Sequence, residues 1–173
     1  MNELLAKDVP DIMKHASNKN ISEFTLNLPF PYSEKDAIYW INQANEGFKN
    51  GTKIIFGIRP KPKKEFIGGI GLTIEQRFNR AEIGYWIAEP HWGKGYTTEA
   101  TKSIIKYAFE SLKLNKLTSS HLHQNPASGK VLIKSGMIEE GRLKDHILKN
   151  REYHDLILYG LTREQFENGT SGN

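Results

Sequence analysis

Cysteine is absent from the 173-residue sequence. Disulfide bonds and catalytic thiolates are therefore excluded, and the composition fits a reducing compartment. Long hydrophobic runs are also missing, because no segment approaches the roughly 20 apolar residues that a membrane-spanning helix needs. Residues 1–20 contain early acidic side chains and no long apolar core, unlike a secretory signal. We therefore expect a cytoplasmic protein with no membrane partner.

The sequence has no terminal segment in which residues of one charge are concentrated. The net charge is +4, from 24 Lys and Arg against 20 Asp and Glu. The densest basic group lies between His91 and Lys106, with Lys130 and Lys134 further on. This mild excess suits an anionic ligand. A small basic domain that binds nucleic acid or ribosomes is an alternative, but the sequence has no basic stripe or exposed aromatic pattern, so we expect no nucleic-acid partner.

Internal repeats, low-complexity tracts and Pro/Ser-rich linkers are absent as well. With 173 residues, 38% of them hydrophobic and 25% charged, the chain has the length and composition of one globular domain. We predict a single domain over residues 1–167 and a flexible tail at 168–173.

The first half of the sequence predicts two helices and three strands. One helix begins at Asp8 and Pro10. The other begins at a capping box formed by Ser33 and Asp36 and ends at Gly51. The strands are predicted at 52–58, 66–74 and 81–88.

The second half predicts two helices, one strand and a closing hairpin. The order is a helix at 97–112, a strand at 117–123, a helix at 127–135 and a hairpin that turns at 149–150. The fold class is therefore α/β (α+β mixed), with one mixed sheet flanked by helices. The strand–helix–strand unit makes strands 81–88 and 117–123 parallel neighbours.

The stretch WIAEPHWGKGYTTEA at 86–100 places Gly93 and Gly95 between a strand and a helix. A helix N-terminus leaves backbone N–H groups unpaired and carries partial positive charge, which attracts phosphate. The glycines either form only a tight turn or open a cradle for a phosphate-bearing ligand, and the local pattern does not decide between these readings. The Walker A pattern is absent, and Thr98 occupies the third glycine position of G-x-G-x-x-G.

Three segments in order carry the pattern of one known family: AEIGYWIAEPHWGKGYTTEA (81–100), NPASGKVLIKSGM (125–137) and EEGRLKDHILKNREYHDLILYGL (139–161). On these segments the chain resembles the GCN5-related N-acetyltransferase (GNAT) superfamily, in its RimJ/RimL-like branch. The acetyl-CoA loop of that family, Q/R-x-x-G-x-G/A, aligns with residues 90–95. Pro90 and Met137 depart from the family's Gln/Arg and Phe. MNELLA matches only the end of the family's first strand, which we expect to be short or truncated.

The resemblance implies a single-domain acetyl-CoA-dependent N-acetyltransferase whose strands splay apart at the site for acetyl-CoA or CoA. The backbone near Trp86, Ile87 and Ala88 would pair with the pantetheine arm, and Asn125 would hydrogen-bond that arm. Lys130 would meet the region of the 3′-phosphate. The pyrophosphate would lie on the backbone amides of Trp92, Gly93, Lys94, Gly95, Tyr96 and Thr97.

In this family an amine attacks the thioester carbonyl directly, so the site needs a base and a proton donor for the leaving sulfur. Glu82 borders the splay and is the candidate base, although it also fits a solvated position on a strand. Ser128 resembles the serine proposed as proton donor in this branch, although it also fits a first-turn hydroxyl of a helix. Many relatives use a tyrosine at the position of Leu132, and its absence favours Ser128. Bound water is an alternative for either role.

The acceptor implied by the resemblance is a primary amine: a protein N-terminus, a polyamine, an amino sugar or a drug. Phe30 and Tyr32 lie in the loop that shapes the acceptor site in relatives, and Asp155 either stabilises the hairpin or lines that site. The family often dimerises, so a homodimer is compatible with the resemblance. An acyl-CoA-binding sensor that retains the fold without turnover is the alternative function.

Two histidines, His121 and His123, alternate on the predicted strand at 117–123 and so share a face. A metal site needs a third ligand at suitable spacing, and the sequence offers none. We therefore expect no metal.

Overall fold

The structure is a computed structural model that describes residues 2–170. The strands are β1 (Asn2–Glu3), β2 (Lys53–Ile58), β3 (Gly68–Glu75), β4 (Arg80–Ile87), β5 (Lys116–Leu122), β6 (Ile138–Lys149) and β7 (Glu152–Thr162). The helices are α1 (Val9–Ala16), α2 (Lys19–Phe24), α3 (Glu34–Asn50), α4 (Tyr96–Glu110), α5 (Pro126–Lys134) and α6 (Arg163–Thr170). This mixed α/β architecture confirms the predicted fold class.

The seven strands form one sheet in the order β1-β2-β3-β4-β5-β7-β6. All neighbours are antiparallel except β4 and β5, which are parallel as predicted. Helices α4 and α5 pack on one face, over a core that includes Ile104, Phe109 and Leu132. Helices α1, α2 and α3 cover the other face with a second core that includes Ile12 and Ile41.

Strands β4 and β5 separate after only three residue pairs. These pairs are Arg80 with Lys116, Ala81 with Leu117 and Glu82 with Thr118. The Ser119 hydroxyl then donates to the Ile83 carbonyl oxygen at 2.9 Å, and no further pairing of β4 with β5 follows. The result is a gap that widens toward the carboxyl ends of both strands, where ligands bind in sheets of this kind.

Helix α3 begins and ends where its sequence signals predict. The Asp36 amide donates to the Ser33 hydroxyl at 3.4 Å, and the Ser33 amide donates to the Asp36 carboxylate at 2.8 Å. At the other end, Gly51 caps the helix with φ of 70°, a left-handed conformation that favours glycine. The capping box and the glycine stop are both confirmed.

Two short elements were not predicted. Helix α2 has six residues, too few to show hydrophobic periodicity, and its only sequence signal is Asn18, which accepts a hydrogen bond from the Asn20 amide at 2.8 Å. Helix α6 extends through Thr170, so it includes the first residues of the predicted tail, while residues 171–173 lie outside the described part. Strand β1 pairs with β2 over two residues, in line with the short first strand.

Candidate active site

The gap between β4 and β5 opens into a cavity of about 770 Å³. One side of the cavity is bounded by the loop after β4 and by the start of α4. The other side is bounded by the 24–28 segment, which begins at the last residue of α2, and by Trp40 and Trp86. The cavity therefore passes through the sheet and reaches both of its faces.

The glycine turn opens toward this cavity with a row of free amides. Gly93 and Gly95 have φ of 72° and 83°, and Gly95 caps α4 without a side-chain hydrogen bond. Within residues 2–170, the N–H groups of the six consecutive residues 93–98 have no acceptor. Six amides at a helix N-terminus form a seat for an anion.

This row is shifted by one residue from the predicted one, Trp92 to Thr97. The Trp92 amide donates to the Glu89 carbonyl oxygen at 3.0 Å and is not available to a ligand, whereas the Thr98 amide is. Thr97 and Thr98 line the cavity. Lys94 and Tyr96 do not line it.

The backbone at the edge of β4 also differs from the prediction. The Ala88 amide donates to the Ile67 carbonyl oxygen at 2.8 Å, toward β3. Because alternate residues of an antiparallel strand bond to the same neighbour, Trp86 also faces β3, and Tyr85 and Ile87 turn their backbone groups toward the gap. The indole N–H of Trp92 donates to the Ile87 carbonyl oxygen at 2.9 Å and thereby ties the loop to this edge. Of the three predicted residues, only Ile87 presents its backbone to the gap.

Ser128 lies at the cavity and contacts a tyrosine that sequence reasoning missed. The hydroxyls of Ser128 and Tyr85 are 2.8 Å apart, and Tyr85 Oη also lies 3.1 Å from the Ser128 carbonyl oxygen. Burial raises the pKa of Tyr85 to about 12, against the opposing effect of the hydrogen bond with Ser128. The signal available in the sequence was strand alternation, since Tyr85 is the polar member of the set 81, 83, 85 and 87 that faces α4 and α5.

Glu82 lines the cavity from the opposite face of the sheet, on the same side as Trp86. Its side chain is exposed, and its carboxylate has no hydrogen bond or ion pair with any residue of 2–170. The structure brings Glu82 and Ser128 to one cavity, and their chemical roles remain predictions.

Asn125 and Lys130 both line the cavity. The Asn125 side chain accepts from the Ser128 amide at 3.2 Å and donates to the Phe24 carbonyl oxygen at 3.3 Å. It thus caps α5 and connects that helix to the 24–28 segment. Lys130 is exposed at the cavity rim, where a cation would attract a phosphate.

The three predicted acceptor residues do not line the cavity. Phe30 is 52% exposed outside it, and Tyr32 is buried in the core beneath α1 and α3, where burial raises its pKa to about 12. Asp155 accepts hydrogen bonds from the Asp145 amide, at 2.8 Å, and from Arg142, and these contacts lower its pKa. Asp155 thereby stabilises the irregular stretch of β6, the first of its two predicted alternatives. The 24–28 segment, Trp40 and Trp86 line the cavity instead.

The two strand histidines differ in environment. His121 is buried against Tyr159, with ring centroids 5.5 Å apart, and His123 is exposed. No group of three or more His, Asp or Glu side chains among the described residues is arranged to bind a metal. None of the described helices is long and apolar enough to cross a membrane.

Comparison with known proteins identifies the class of enzyme. The acetyltransferase (GNAT) domain family matches residues 2–138, and the chain therefore belongs to this family. A ribosomal-protein-serine acetyltransferase of Escherichia coli (strain K12) is 32% identical over 144 residues, covering 82% of this chain and 79% of that protein. The uncharacterized N-acetyltransferase p20 of Bacillus licheniformis is 30% identical over 164 residues, covering 92% and 90%.

A solved structure shows the same fold. Spermidine N-acetyltransferase from Vibrio cholerae, in complex with CoA and spermine, superposes with a TM-score of 0.83 at 24% identity and covers 96% of both chains. Together these similarities make the protein an acetyl-CoA-dependent N-acetyltransferase of the RimJ/RimL-like branch, which transfers acetyl groups to amines. The predicted family and enzyme class are confirmed.

Proposed function

We propose that this protein acetylates the N-terminal amine of a protein or peptide, or a small amine that likewise carries a single positive charge. The observation that carries the proposal is the row of six free amides opening on a cavity that crosses the sheet and contains both Glu82 and Ser128. The free amides of residues 93–98 lie at one opening of the cavity and the Glu82 carboxylate lies toward the other. Acetyl-CoA and the amine can therefore enter from opposite sides.

The residues present fit acetyl-CoA, which supplies the activated acetyl group. The amides of residues 93–98 bind the pyrophosphate, because unpaired N–H groups at a helix N-terminus are strong donors to oxyanions. The backbone groups of Tyr85 and Ile87 are directed at the pantetheine arm in the gap. Lys130 lies at the rim for the 3′-phosphate region.

Transfer requires the amine nitrogen to bond to the acetyl carbon while the carbon–sulfur bond breaks. The acceptor enters as an ammonium ion, and Glu82 accepts its proton directly or through water. The electron pair of the broken bond stays on sulfur, and the Ser128 hydroxyl donates to it. The nitrogen loses two protons between ammonium and amide. The first passes through Glu82 to solvent, and the second, lost after the attack, balances the proton gained by the thiol.

The composition of the cavity wall favours an acceptor with one positive charge. Among the described lining residues, Glu82 is the sole carboxylate, and apolar side chains surround the acceptor side: Phe24, Leu26, Leu28, Trp40 and Ile55. A polyamine needs several acidic partners to offset the desolvation of its charges.

The decisive experiment measures CoA thiol release with a panel of amines. Peptides beginning with serine or alanine, a simple arylalkylamine and spermidine test the three acceptor types. The proposal expects turnover with the peptides or the monoamine and little with spermidine. Preferred turnover of spermidine contradicts the acceptor proposal. CoA binding without turnover on the whole panel supports the non-catalytic sensor instead.

A further inference from the structure

We propose that Tyr85 is a positioning residue that orients the Ser128 hydroxyl toward the leaving sulfur and relays a proton through it. This inference rests on the proposed function. The hydroxyl contact that links Tyr85 to Ser128 joins residues 43 positions apart in the chain.

The two distances at Tyr85 define alternative hydrogen-bond arrangements. The phenol has one proton, and the Ser128 hydroxyl and carbonyl oxygens lie 2.8 and 3.1 Å from Tyr85 Oη. When Tyr85 donates to the carbonyl oxygen, the Ser128 proton is turned toward Tyr85 Oη. When Tyr85 donates to Ser128 Oγ instead, the Ser128 proton is free to point into the cavity. Rotation of the phenol C–O bond exchanges the two arrangements.

Acidity explains why Ser128 needs a partner. An aliphatic alcohol is a much weaker acid than a phenol, even one whose pKa is raised to about 12 as in Tyr85, and a thiol has an ordinary pKa of about 8.5. Ser128 alone would become an alkoxide in order to protonate sulfur. With Tyr85 behind it, Ser128 receives a proton as it gives one, and no alkoxide forms.

Each proton and electron pair in the cleavage step has a donor and an acceptor. As the carbon–sulfur bond breaks, its electron pair remains on sulfur, the Ser128 proton moves to sulfur and the Tyr85 proton moves to Ser128 Oγ. The attacking nitrogen releases its second proton to water as it becomes the amide, and the Tyr85 phenolate regains a proton from water. The first ammonium proton leaves through Glu82 to solvent. Burial raises the pKa of Tyr85 to about 12, so the phenolate is short-lived and reprotonation is favourable.

The test is a proton inventory of single-turnover acetyl transfer, in mixtures of H₂O and D₂O, with the amine that gives the best turnover. The wild type is expected to show a curved dependence on deuterium fraction, because two protons move. Tyr85→Phe is expected to slow transfer about 100-fold, in the range of general acid–base catalysis, and to make the dependence linear. Its Kd for CoA and its melting temperature stay close to those of the wild type.

Two further variants sharpen the result. Tyr107→Phe is the matched control, because Tyr107 is also a partly buried tyrosine but contacts Phe56 rather than the cavity, and it keeps the wild-type rate and curvature. Ser128→Ala combined with Tyr85→Phe is expected to be no slower than the slower single variant, because the two residues act as a unit.

The experiments distinguish a failure of the Tyr85 relay from a failure of the proposed function. A Tyr85→Phe enzyme with the wild-type rate and a curved inventory overturns the relay while the acetyltransferase proposal stands. A wild-type protein that binds CoA but acetylates no amine contradicts the proposed function and the relay with it.

Discussion

The ammonium group of Lys149 donates a hydrogen bond to the carbonyl oxygen of Ser22, 127 residues earlier in the chain. The same group donates to the Thr25 carbonyl oxygen. Lys149 is the last residue of β6, and the carbonyls belong to the C-terminal end of α2, where a cation is favourable. The closing hairpin thereby fastens the 24–28 segment, which lines the cavity on the side that we propose receives the amine.

Loss of this link should weaken amine binding selectively. Lys149→Met retains much of the aliphatic stem but removes two charge-assisted hydrogen bonds, so we expect the KM for the amine to rise about tenfold or more. The Kd for CoA should change little, because its amides lie at 93–98. Steady-state kinetics and calorimetry measure the two constants. The control, Lys144→Met, alters an exposed lysine of the same strand, and equal effects from both variants would contradict the role of Lys149.

CoA binding should require the absence of a side chain at Gly95, in addition to the left-handed backbone conformation that glycine allows there. Gly95 and Gly136 both have positive φ, 83° and 92°, and in both cases an added Cβ would meet nothing within 4 Å in the protein. Alanine at either position therefore costs a similar backbone strain of about 1–2 kcal/mol. Calorimetry should show that Gly95→Val weakens CoA binding strongly because its side chain enters the anion seat. Gly136→Val, at the end of α5, should keep the affinity despite its similar strain.

Glu82→Gln should lower kcat without weakening CoA binding. The amide has nearly the same shape as the carboxylate but cannot accept the ammonium proton, and general base catalysis contributes about 100- to 10,000-fold. Thiol-release assays give kcat, and calorimetry gives the Kd for CoA. Glu99→Gln changes an exposed carboxylate in the first turn of α4 and serves as control. Unchanged turnover in Glu82→Gln would remove Glu82 from the mechanism and leave water as the base.

Stability at alkaline pH should depend on Tyr32. Its hydroxyl ionises near pH 10 in an unfolded chain and near pH 12 in the fold, because burial disfavours the phenolate. The raised pKa stabilises the folded state fully below pH 10, and this contribution is lost as the pH rises from 10 to 12. In denaturant unfolding, Tyr32 should contribute up to about 3 kcal/mol to the loss of stability over this range.

Tyr32→Phe should reduce that alkaline loss, since its ring has no ionisable group. Tyr39→Phe, at a position 65% exposed on α3, should leave the pH dependence as in the wild type. The same fall in stability from pH 10 to 12 in Tyr32→Phe as in the wild type would contradict the assignment.

Much of the fold was predictable because its signals are local. The Ser33–Asp36 capping box marks the start of α3, and two glycines mark the turn before α4. These patterns depend on neighbours within a few residues, so one sequence displays them fully. The resemblance to the family placed Glu82 and Ser128 at one cavity, and the structure agrees.

The rest of the site depends on contacts between distant segments. Nothing near Tyr85 in the sequence indicates that α5 will bring Ser128 against its hydroxyl. The direction of the Ala88 amide follows from pairing with β3, and the availability of the Trp92 amide depends on a turn with Glu89. Phe30 and Tyr32 belong to the expected loop, but only the packed structure shows that its earlier residues line the cavity.

The most direct test of the site is equilibrium binding of CoA, dephospho-CoA and pantetheine to the wild-type protein. CoA and dephospho-CoA both contain the pyrophosphate, and pantetheine does not. If the amides of residues 93–98 bind the pyrophosphate, pantetheine should bind at least about 100-fold more weakly than dephospho-CoA, since several charge-assisted hydrogen bonds are lost. Equal affinities for pantetheine and dephospho-CoA, or no binding of CoA, would contradict the account.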